Sequence, residues 1–503
     1  MNEREFDEML KNSVPELPPE DVVYEATPWR VSMDRILAGL AMSVVTINIL
    51  ALNHILPTIG ILLQLLGFRT LRKENRWFQI CWLLAMLRTV CHFPVMILQA
   101  TIYRNILYAS SLGEVWTVLN VASQILLLFC FWRGFLAVQK KAGADVPTGS
   151  AGALLIWYLA ILGLARLQYN GLLFGIAMIV CFILIIRSLF HISADLEESG
   201  YGIQAAAVRI SDGRLTKILI AVLTVGIACG YLLLGSYPMD WQPDGEEQTA
   251  EVSAIKENLL TLGYPGDALE DLSEEEILGC KEALRVVVHE IDEPVGDGHE
   301  VREVEGNSTF ITTVYDEKEL HLTDVAVELG GGESPRWRIF HHFLWSIHPG
   351  FCGTEALQLW PAYRESEGWD ASGELSGRVL YDKNGVVYTS PFYSLTAESY
   401  TTDSIFWGDR YVQSIFATFS LPDSGERQRG YVAYSIEEKH EGWIVDSWIN
   451  YVHQKRLLQY PVLTAKERRM AGGWNDSYPF ITVQNALQFF ATKDEVELLN
   501  GND

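Results

Sequence analysis

Apolar residues are distributed very unevenly along this chain. The first 236 residues hold seven long apolar runs, and the last 267 hold none. A helix of about 17 to 25 apolar residues crosses the hydrocarbon core of a bilayer. The pattern predicts a polytopic α-helical membrane bundle of about seven spans, followed by a region that folds in water. The predicted spans are 36–52, 55–68, 78–101, 116–138, 152–166, 170–190 and 216–236.

Basic residues are concentrated in alternate connections between these runs. With a cytoplasmic N-terminus, the inner segments close to the spans hold twelve Lys and Arg and the outer loops hold two, Arg104 and Arg166. Basic residues in short loops are retained on the cytoplasmic side. The bias predicts a multi-pass protein of the cell membrane, with a cytoplasmic tail at 1–35 and an extracytoplasmic C-terminal half. The twelve inner residues are Arg30, Arg35, Arg69, Arg72, Lys73, Arg76, Lys140, Lys141, Arg187, Arg209, Arg214 and Lys217.

The start of the C-terminal half has helical periodicity. After a polar linker at 237–250, apolar residues predict one helix from Glu251 to Leu262. A second predicted helix begins after Ser273, where Ser-Glu-Glu-Glu is typical of a capping box, and runs to about Val288. Together they predict a helical segment, 251–299, between the 36–236 membrane domain and the rest of the chain.

From residue 300 onward the hydrophobic period changes to two. An Asn-Gly pair at 384–385 between two such runs predicts a hairpin, and a helix is predicted near Val483–Phe490. We expect 300–503 to form an antiparallel β-sandwich of jelly-roll type. The predicted strands are 308–315, 320–329, 336–346, 355–361, 376–381, 385–393, 411–420, 429–436 and 442–452.

Charge separates the two halves as clearly as hydropathy does. Residues 1–236 hold 18 Lys and Arg against 16 Asp and Glu, and residues 237–503 hold 20 against 47. A net charge of −27 on the second half argues against nucleic acid as a partner, since like charges repel. The lipid bilayer is the predicted partner of the first half.

Few polar groups lie at membrane depth. Arg88 is near the middle of the third span, and His92 follows one turn later on the same face. A central Arg costs about 2.5–3.5 kcal/mol on insertion scales, so it is expected to point into the bundle. The candidate intramembrane residues are Arg88, His92, Asn120 and Gln124, and Gln64 is a further amide that can bond the guanidinium. Binding of an anion competes here with a purely structural role.

Aromatic residues supply the candidate chemistry of the C-terminal half. Trp337, Trp345, Trp360 and Trp407 are candidate ligand-binding residues, because sugar rings stack on aromatic planes. The competing interpretation is core packing. His341 and His342 are adjacent on a predicted strand and face opposite sides, so no metal site is predicted. No cofactor motif and no catalytic motif is present, which favours a non-enzymatic protein.

Three functions are compatible with this pattern. The first is a membrane protein that displays an acidic extracytoplasmic domain for an extracellular glycan or envelope protein. The second is a transporter or lipid-handling protein that uses Arg88. The third is an extracellular hydrolase whose catalytic acids converge from separate segments. The one-sided layout favours the first.

Overall fold

The computed structural model describes most of the chain. The described residues are 28–44, 52–106, 111–142, 149–167, 171–198, 201, 203, 206, 208–245, 249–295, 299–305, 308–314, 319–331, 334–361, 368–402, 410–456, 459–471, 479–492 and 495–499. The chain divides into two compact units, Met1–Leu232 and Leu233–Asp503. Each unit is described by itself.

The first unit is α-helical wherever the described residues have regular secondary structure. Its helices are α1 (Pro28–Val44), α2 (Leu52–Leu71), α3 (Arg76–Leu98), α4 (Ser111–Ala142), α5 (Gly149–Arg166), α6 (Leu172–Glu198) and α7 (Asp212–Leu234). Among the described residues, six helices, α2 to α7, are long and apolar enough to cross a membrane. The first predicted span, 36–52, includes 45–51, which lie outside the described residues, so a seventh span stays a prediction.

Glycines allow α1 and α2 to pack backbone against backbone. A Cβ on Gly60 would lie 2.7 Å from the carbonyl oxygen of Gly39, and a Cβ on Gly67 would lie 2.6 Å from that of Ser32. Gln64, between these two glycines, donates from Nε2 to the Gly39 carbonyl at 3.0 Å. The contacts pair the start of α1 with the end of α2, so the two helices are antiparallel.

Charged residues join the helices at one end of this unit. Asp212, at the start of α7, accepts from Arg35 of α1 at 2.5 Å and from Arg69 of α2 at 3.2 Å. Glu74, between α2 and α3, bonds Lys141 of α4 at 2.6 Å. The start of α1 also meets the end of α6, because Trp29 donates from Nε1 to the Ser193 carbonyl.

Helix α7 has little protein contact beyond that end. Gly226 and Gly230 lie against Ile97 of α3, where a Cβ on Gly226 would come within 2.5 Å of the Ile97 side chain. The spacing of these glycines, four residues apart, lets two helices approach closely in a bilayer. Most other apolar side chains of α7 are exposed, as are those on one side of α6, which suits contact with lipid.

The second unit consists mainly of β-strands. They are β1 (Gln242–Pro243), β2 (Ala283–Glu293), β3 (His299–Glu305), β4 (Ser308–Val314), β5 (Leu320–Leu329), β6 (Arg336–Trp345), β7 (Glu355–Trp360), β8 (Trp369–Lys383), β9 (Val386–Pro391), β10 (Ser394–Thr402), β11 (Arg410–Phe419), β12 (Glu426–Glu438), β13 (Val445–Gln454), β14 (Phe480–Ala491) and β15 (Val496–Leu498). Its helices are α8 (Ala250–Thr261), α9 (Gly266–Glu270), α10 (Glu274–Gly279) and α11 (Ala465–Met470).

Two antiparallel sheets share one buried core. The seven-stranded sheet has the order β1-β9-β8-β12-β6-β5-β2, and the six-stranded sheet has the order β10-β11-β7-β13-β14-β15. Side chains of both sheets, among them Trp337, Phe343, Leu359 and Tyr451, belong to one buried cluster. The separate β3–β4 pair forms a third, two-stranded sheet.

Short helices cover the other faces of the two sheets to different extents. Helices α8 to α10 bury apolar residues such as Ile255, Leu259 and Ile277 against β5, β6 and β12. On the six-stranded sheet, only α11 and its flanking residues form such a cluster in the part of the chain that the structure describes, with Ala465 against Ala356 and Val452. The six-stranded sheet therefore leaves part of its outer face less covered.

The predicted hairpin at 384–385 is confirmed. Asn384 and Gly385 connect β8 to β9, where Lys383 pairs with Val386. Both residues have positive φ, 53° and 78°, which the tight hairpin turn requires and which Asn and Gly tolerate best. All nine predicted strands correspond to observed strands.

Two helix predictions are wrong. The second predicted helix ends at Gly279 rather than near Val288, and Ala283–Glu293 is β2, paired with β5. The predicted segment 251–299 is therefore helical only in its first part. The predicted helix near Val483–Phe490 is β14, which pairs with β13 along ten residues, Phe480 to Phe489.

Candidate functional site

The structure separates the candidate tryptophans into two groups. Trp337 and Trp345 are 0 % and 1 % exposed, so they pack in the core and present no face to a ligand. Trp360 is half-buried on the outer face of the six-stranded sheet. Trp407 lies outside the described residues.

Trp360 has an aromatic neighbour that the sequence analysis did not single out. Trp448 is its cross-strand partner between β7 and β13, and the two ring centroids are 6.5 Å apart. On the other side, Trp448 faces the small side chain of Ala486 in β14. We call the surface formed by Trp360, Trp448, Asp446, Asn450, Gln484 and Gln488 the tryptophan face.

Hydrogen bonds order the polar groups of the tryptophan face. Trp448 donates from Nε1 to Asp446 Oδ1 at 2.6 Å, and Gln488 donates to the same oxygen at 2.7 Å. Trp360 donates from Nε1 to Ser414 Oγ at 2.9 Å. The indole planes are thereby held in fixed orientations beside amide and carboxylate groups.

Asn450 is the least satisfied group of this surface. Its Oδ1 accepts from Gln484 Nε2 at 2.9 Å, but its Nδ2 has no hydrogen-bond partner among the described residues. The residue is 1 % exposed. A buried polar atom without a partner costs about 1–3 kcal/mol, so an acceptor from a buried water molecule would be favourable here.

Helix α11 borders the tryptophan face on one side. Its side chains stack on sheet aromatics, with Arg469 5.5 Å from the Trp360 ring and Lys466 5.1 Å from the Phe416 ring. Thr464 caps α11 in a capping box with Glu467. The helix therefore packs over parts of β7 and β11 and, through Ala465, over Val452 of β13.

A Ser-His-Asp arrangement lies between the two sheets. His341 contacts Ser447 Oγ through Nε2 at 2.9 Å and Asp324 Oδ1 through Nδ1 at 2.6 Å. This is the order of a nucleophile, a base and an orienting acid. All three residues are 0 % exposed, so no substrate reaches the serine. The arrangement is a buried polar link between the sheets.

Further buried groups complete that link. Tyr434 contacts both His341 and Ser447, and burial raises the pKa of its hydroxyl well above the ordinary value, so it stays protonated. Asn485 donates to the second oxygen of Asp324 at 2.7 Å. The seven-stranded sheet therefore contributes three polar residues to this link, Asp324, His341 and Tyr434, and the six-stranded sheet contributes two, Ser447 and Asn485.

A second set of charges joins the α9–α10 layer to the seven-stranded sheet. Asp271 bonds Arg429 Nε at 2.6 Å and His342 Nε2 at 2.8 Å. Burial alone would raise the pKa of Asp271, but the hydrogen bonds and charges of His342 and Arg429 outweigh it and lower that pKa. His341 and His342 thus point to opposite faces, as predicted. No group of three or more potential metal ligands is found among the described residues.

Another buried pair lies at the start of β7. Glu355 accepts from His453 Nδ1 at 2.8 Å, and both side chains are at most 2 % exposed. Burial raises the pKa of Glu355, although His453 opposes the shift. The nearby Cys352 and the more distant Cys280 are free, buried thiols, and burial raises the pKa of each to about 12. Neither is therefore a reactive thiolate at neutral pH.

A cleft of about 350 Å³ opens between α8, α10 and the β8–β9 hairpin. Its carboxylates are Asp244, Glu270 and Glu274, and its cations are Lys256 and Arg378. Asp244 is 3.4 Å from Arg378, and Glu274 accepts from Thr249. This cleft brings three acids together, which is the feature that the hydrolase hypothesis requires.

The candidate residues of the helical unit do not form a single cluster. Arg88 donates from Nη1 to Gln64 Oε1 at 3.3 Å, and His92 Nε2 contacts Thr58 Oγ1 at 2.9 Å. Asn120 is exposed and donates to the Trp116 carbonyl of its own helix. Gln124 is 6 % exposed and lines a small apolar cavity with Leu128 and Trp157.

The chain was compared with protein-family models and with curated proteins. No protein-family model matches the chain, and no curated protein matches it.

Proposed function

We propose that this is a membrane-anchored binding protein whose C-terminal unit binds a glycan on the tryptophan face. The proposal depends on the Trp360–Trp448 pair, which is half-buried and flanked by amide and carboxylate groups. Indole rings stack on the C–H faces of sugars, while amides and carboxylates bond hydroxyl groups. We further propose that the two sheets form a sandwich that serves as a rigid support for this surface.

The charge of the C-terminal half supports a neutral or cationic ligand. Its 47 acidic residues against 20 basic ones disfavour polyanions. Asp446 lies within the tryptophan face and bonds Trp448 and Gln488, so an anionic sugar there would meet a carboxylate. An uncharged glycan avoids that repulsion.

Replacement of Trp448 by alanine is expected to weaken glycan binding by about 30-fold, since a central aromatic anchor contributes on the order of 2 kcal/mol. The full-length protein in nanodiscs would be screened on an array of neutral glycans, and Kd would then be measured by calorimetry for the best ligand. Trp443→Ala is the matched control, because Trp443 is 43 % exposed and lies outside the tryptophan face. Equal losses in both variants, or no glycan bound by the wild type, would contradict the proposal.

We also propose an orientation in the membrane. The basic end of the helical unit faces the cytoplasm, and the C-terminal unit lies outside the cell. Contacts of Asp212 with Arg35 and Arg69, and of Glu74 with Lys141, bring segments from four helices to one end of the helical unit. Basic residues are abundant at that end, which is the cytoplasmic one by the charge rule. Since α7 begins there and is long enough to cross the membrane, its chain continues on the other side.

Thiol labelling of intact cells tests the orientation. Glu257→Cys, on the exposed surface of α8, is expected to react with a membrane-impermeant maleimide without lysis. Lys140→Cys, exposed at the basic end, is expected to react only after the cells are opened. The wild type gives the background from native cysteines. The reverse pattern would place the C-terminal unit in the cytoplasm and would remove an extracellular glycan from consideration.

A further inference from the structure

Polar side chains follow the α2–α3 interface from one end of the helical unit to its middle. We call His54, Thr58, Gln64, Arg88 and His92 the polar track. Thr58 donates to the His54 carbonyl at 2.7 Å, so its oxygen accepts from His92 Nε2 at 2.9 Å. Arg88 lies one turn beyond His92 on the same side of α3 and bonds Gln64 at 3.3 Å.

Gln64 holds its position through α1 rather than through Arg88. Its Nε2 donates to the Gly39 carbonyl at 3.0 Å and to Ser43 Oγ at 3.2 Å. With both amide protons directed at α1, only Oε1 faces Arg88. The glycine contact between α1 and α2 therefore fixes the acceptor, Gln64 Oε1, that orients the guanidinium.

No acidic side chain among the described residues compensates the charge of Arg88. A guanidinium carries five N–H donors, and Gln64 takes one of them. Among the described residues, no Asp or Glu pairs with Arg88, and α2, α3 and α5 contain no acidic residue at all. Arg88 is also only partly exposed. An unpaired cation at such a position is expensive in a bilayer and marks a binding site by default.

We propose that the polar track is an oxyanion-binding site with Arg88 at its inner end. The ligand chemistry is a phosphate-type group, whose oxygens match the fork of a guanidinium and accept two parallel hydrogen bonds from it. A cation would be repelled by Arg88, and a neutral ligand would leave its charge unpaired. The group comes either from a phospholipid that enters from the side or from a free anion.

Binding measurements on the full-length protein separate these two sources. One arm uses nanodiscs of phosphatidylcholine with one-fifth phosphatidylglycerol and measures retained lipid by native mass spectrometry. The other arm uses pure phosphatidylcholine nanodiscs and titrates inorganic phosphate. The wild type is expected to bind the probe in one arm: retention of phosphatidylglycerol over phosphatidylcholine identifies a lipid, and saturable phosphate binding identifies a free anion.

Two variants distinguish charge from packing. Arg88→Gln can still bond Gln64 but has no charge, and is expected to lose at least tenfold in affinity in the arm where the wild type binds. Arg88→Lys keeps the positive charge but lacks the paired N–H donors of a guanidinium. Its affinity is expected to lie between those of the wild type and Arg88→Gln. Arg133→Gln is the matched control, because Arg133 stacks on Trp77 at 5.6 Å, away from the polar track.

The proposal is overturned if Arg88→Gln binds as well as the wild type, or if Arg133→Gln loses as much. It is equally overturned if the wild type binds neither probe, an outcome that needs no variant to fold. Glycan binding on the tryptophan face is unaffected by any of these results, since it belongs to the other unit.

Discussion

Replacement of Asp271 by alanine is expected to destabilise the C-terminal unit by about 3–5 kcal/mol, the cost of leaving a buried charge without its partner. Asp271 is the shared acceptor of Arg429 and His342, and the side chains of all three are at most 6 % exposed. Arg429 would lose its buried carboxylate partner and keep the half-buried Asp382, at 2.8 Å, and the Arg427 carbonyl. The α9–α10 layer would lose its ionic attachment to Arg429 of β12 and to His342 of β6, and would keep the Glu276–Arg338 pair to β6.

Hydrogen exchange of the β12 amides in the full-length protein measures the stability lost by the C-terminal unit, separately from that of the helical unit. A loss of 3 kcal/mol corresponds to roughly 150-fold faster exchange. Asp370→Ala is the matched control on the same sheet, because Asp370 pairs with Lys439 on the surface and such pairs contribute about 0–1 kcal/mol. Exchange that is equally fast in both variants would mean that Asp271 is not a buried attachment point.

The same carboxylate predicts a pH dependence. Its folded-state pKa is lowered relative to the unfolded chain, so its contribution to stability is complete above the unfolded pKa of about 3.9. That contribution is lost as the pH falls through the lower, folded-state value. Asp271→Ala should therefore flatten the acid side of the stability profile.

Replacement of Gly60 by leucine is expected to separate α1 from α2 and to cost the helical unit about 3 kcal/mol or more. Its Cβ would lie 2.7 Å from the Gly39 oxygen and 2.8 Å from the Ser43 nitrogen. Both are backbone atoms, so no side-chain rotation relieves the overlap. The hydrogen bonds from Gln64 to α1 would be lost as well.

Thermal denaturation of the protein in detergent tests this second prediction. Gly163→Leu on α5 is the matched control, since it makes the same chemical change where no atom lies within 4 Å of the new Cβ. Gly60→Leu should lower Tm by several degrees or abolish a monodisperse preparation, while Gly163→Leu should do neither. A Gly60 variant as stable as the control would contradict the close packing of α1 on α2.

The strand predictions succeeded where local pattern and tertiary environment agree. Segments with clear alternation or dense β-branched and aromatic residues, such as 320–329 and 445–454, are observed as strands. The helix prediction near Val483–Phe490 was wrong because the inward positions of β14 include Asn485, which bonds Asp324 in the core. That polar residue interrupts the alternation and leaves Val483, Ala486, Leu487 and Phe490 at helical spacing. Pairing with β13 then overrides the local preference.

The error at β2 has a different cause. Apolar residues continue from α10 into Val286–Val288 without a strong break, so periodicity alone extended the helix. Three consecutive valines favour a strand, and pairing with β5 completes it. This β-branched run was the sequence signal that could have predicted a strand in place of a helix.

The candidate sites were only partly predictable. Arg88 was identified because a charge within an apolar run is unusual whatever the fold. Trp337 and Trp345 could not be told from Trp360, because alternation does not show which face of a strand is outward. The pairing of Trp360 with Trp448 and that of Ser447 with His341 join residues from separate strands, which one sequence cannot align.

The unequal covering of the two sheets affects how each can change during evolution. In β12, nine successive residues from Gln428 to Ile436 are buried, since core lies on one side and α8–α10 on the other. Nearly every substitution there disturbs packing. In β14, several outward positions such as Gln484 and Gln488 are only partly buried. This strand can therefore acquire new surface chemistry while the inward residues conserve the fold, so divergence in surface chemistry would be concentrated on the six-stranded sheet.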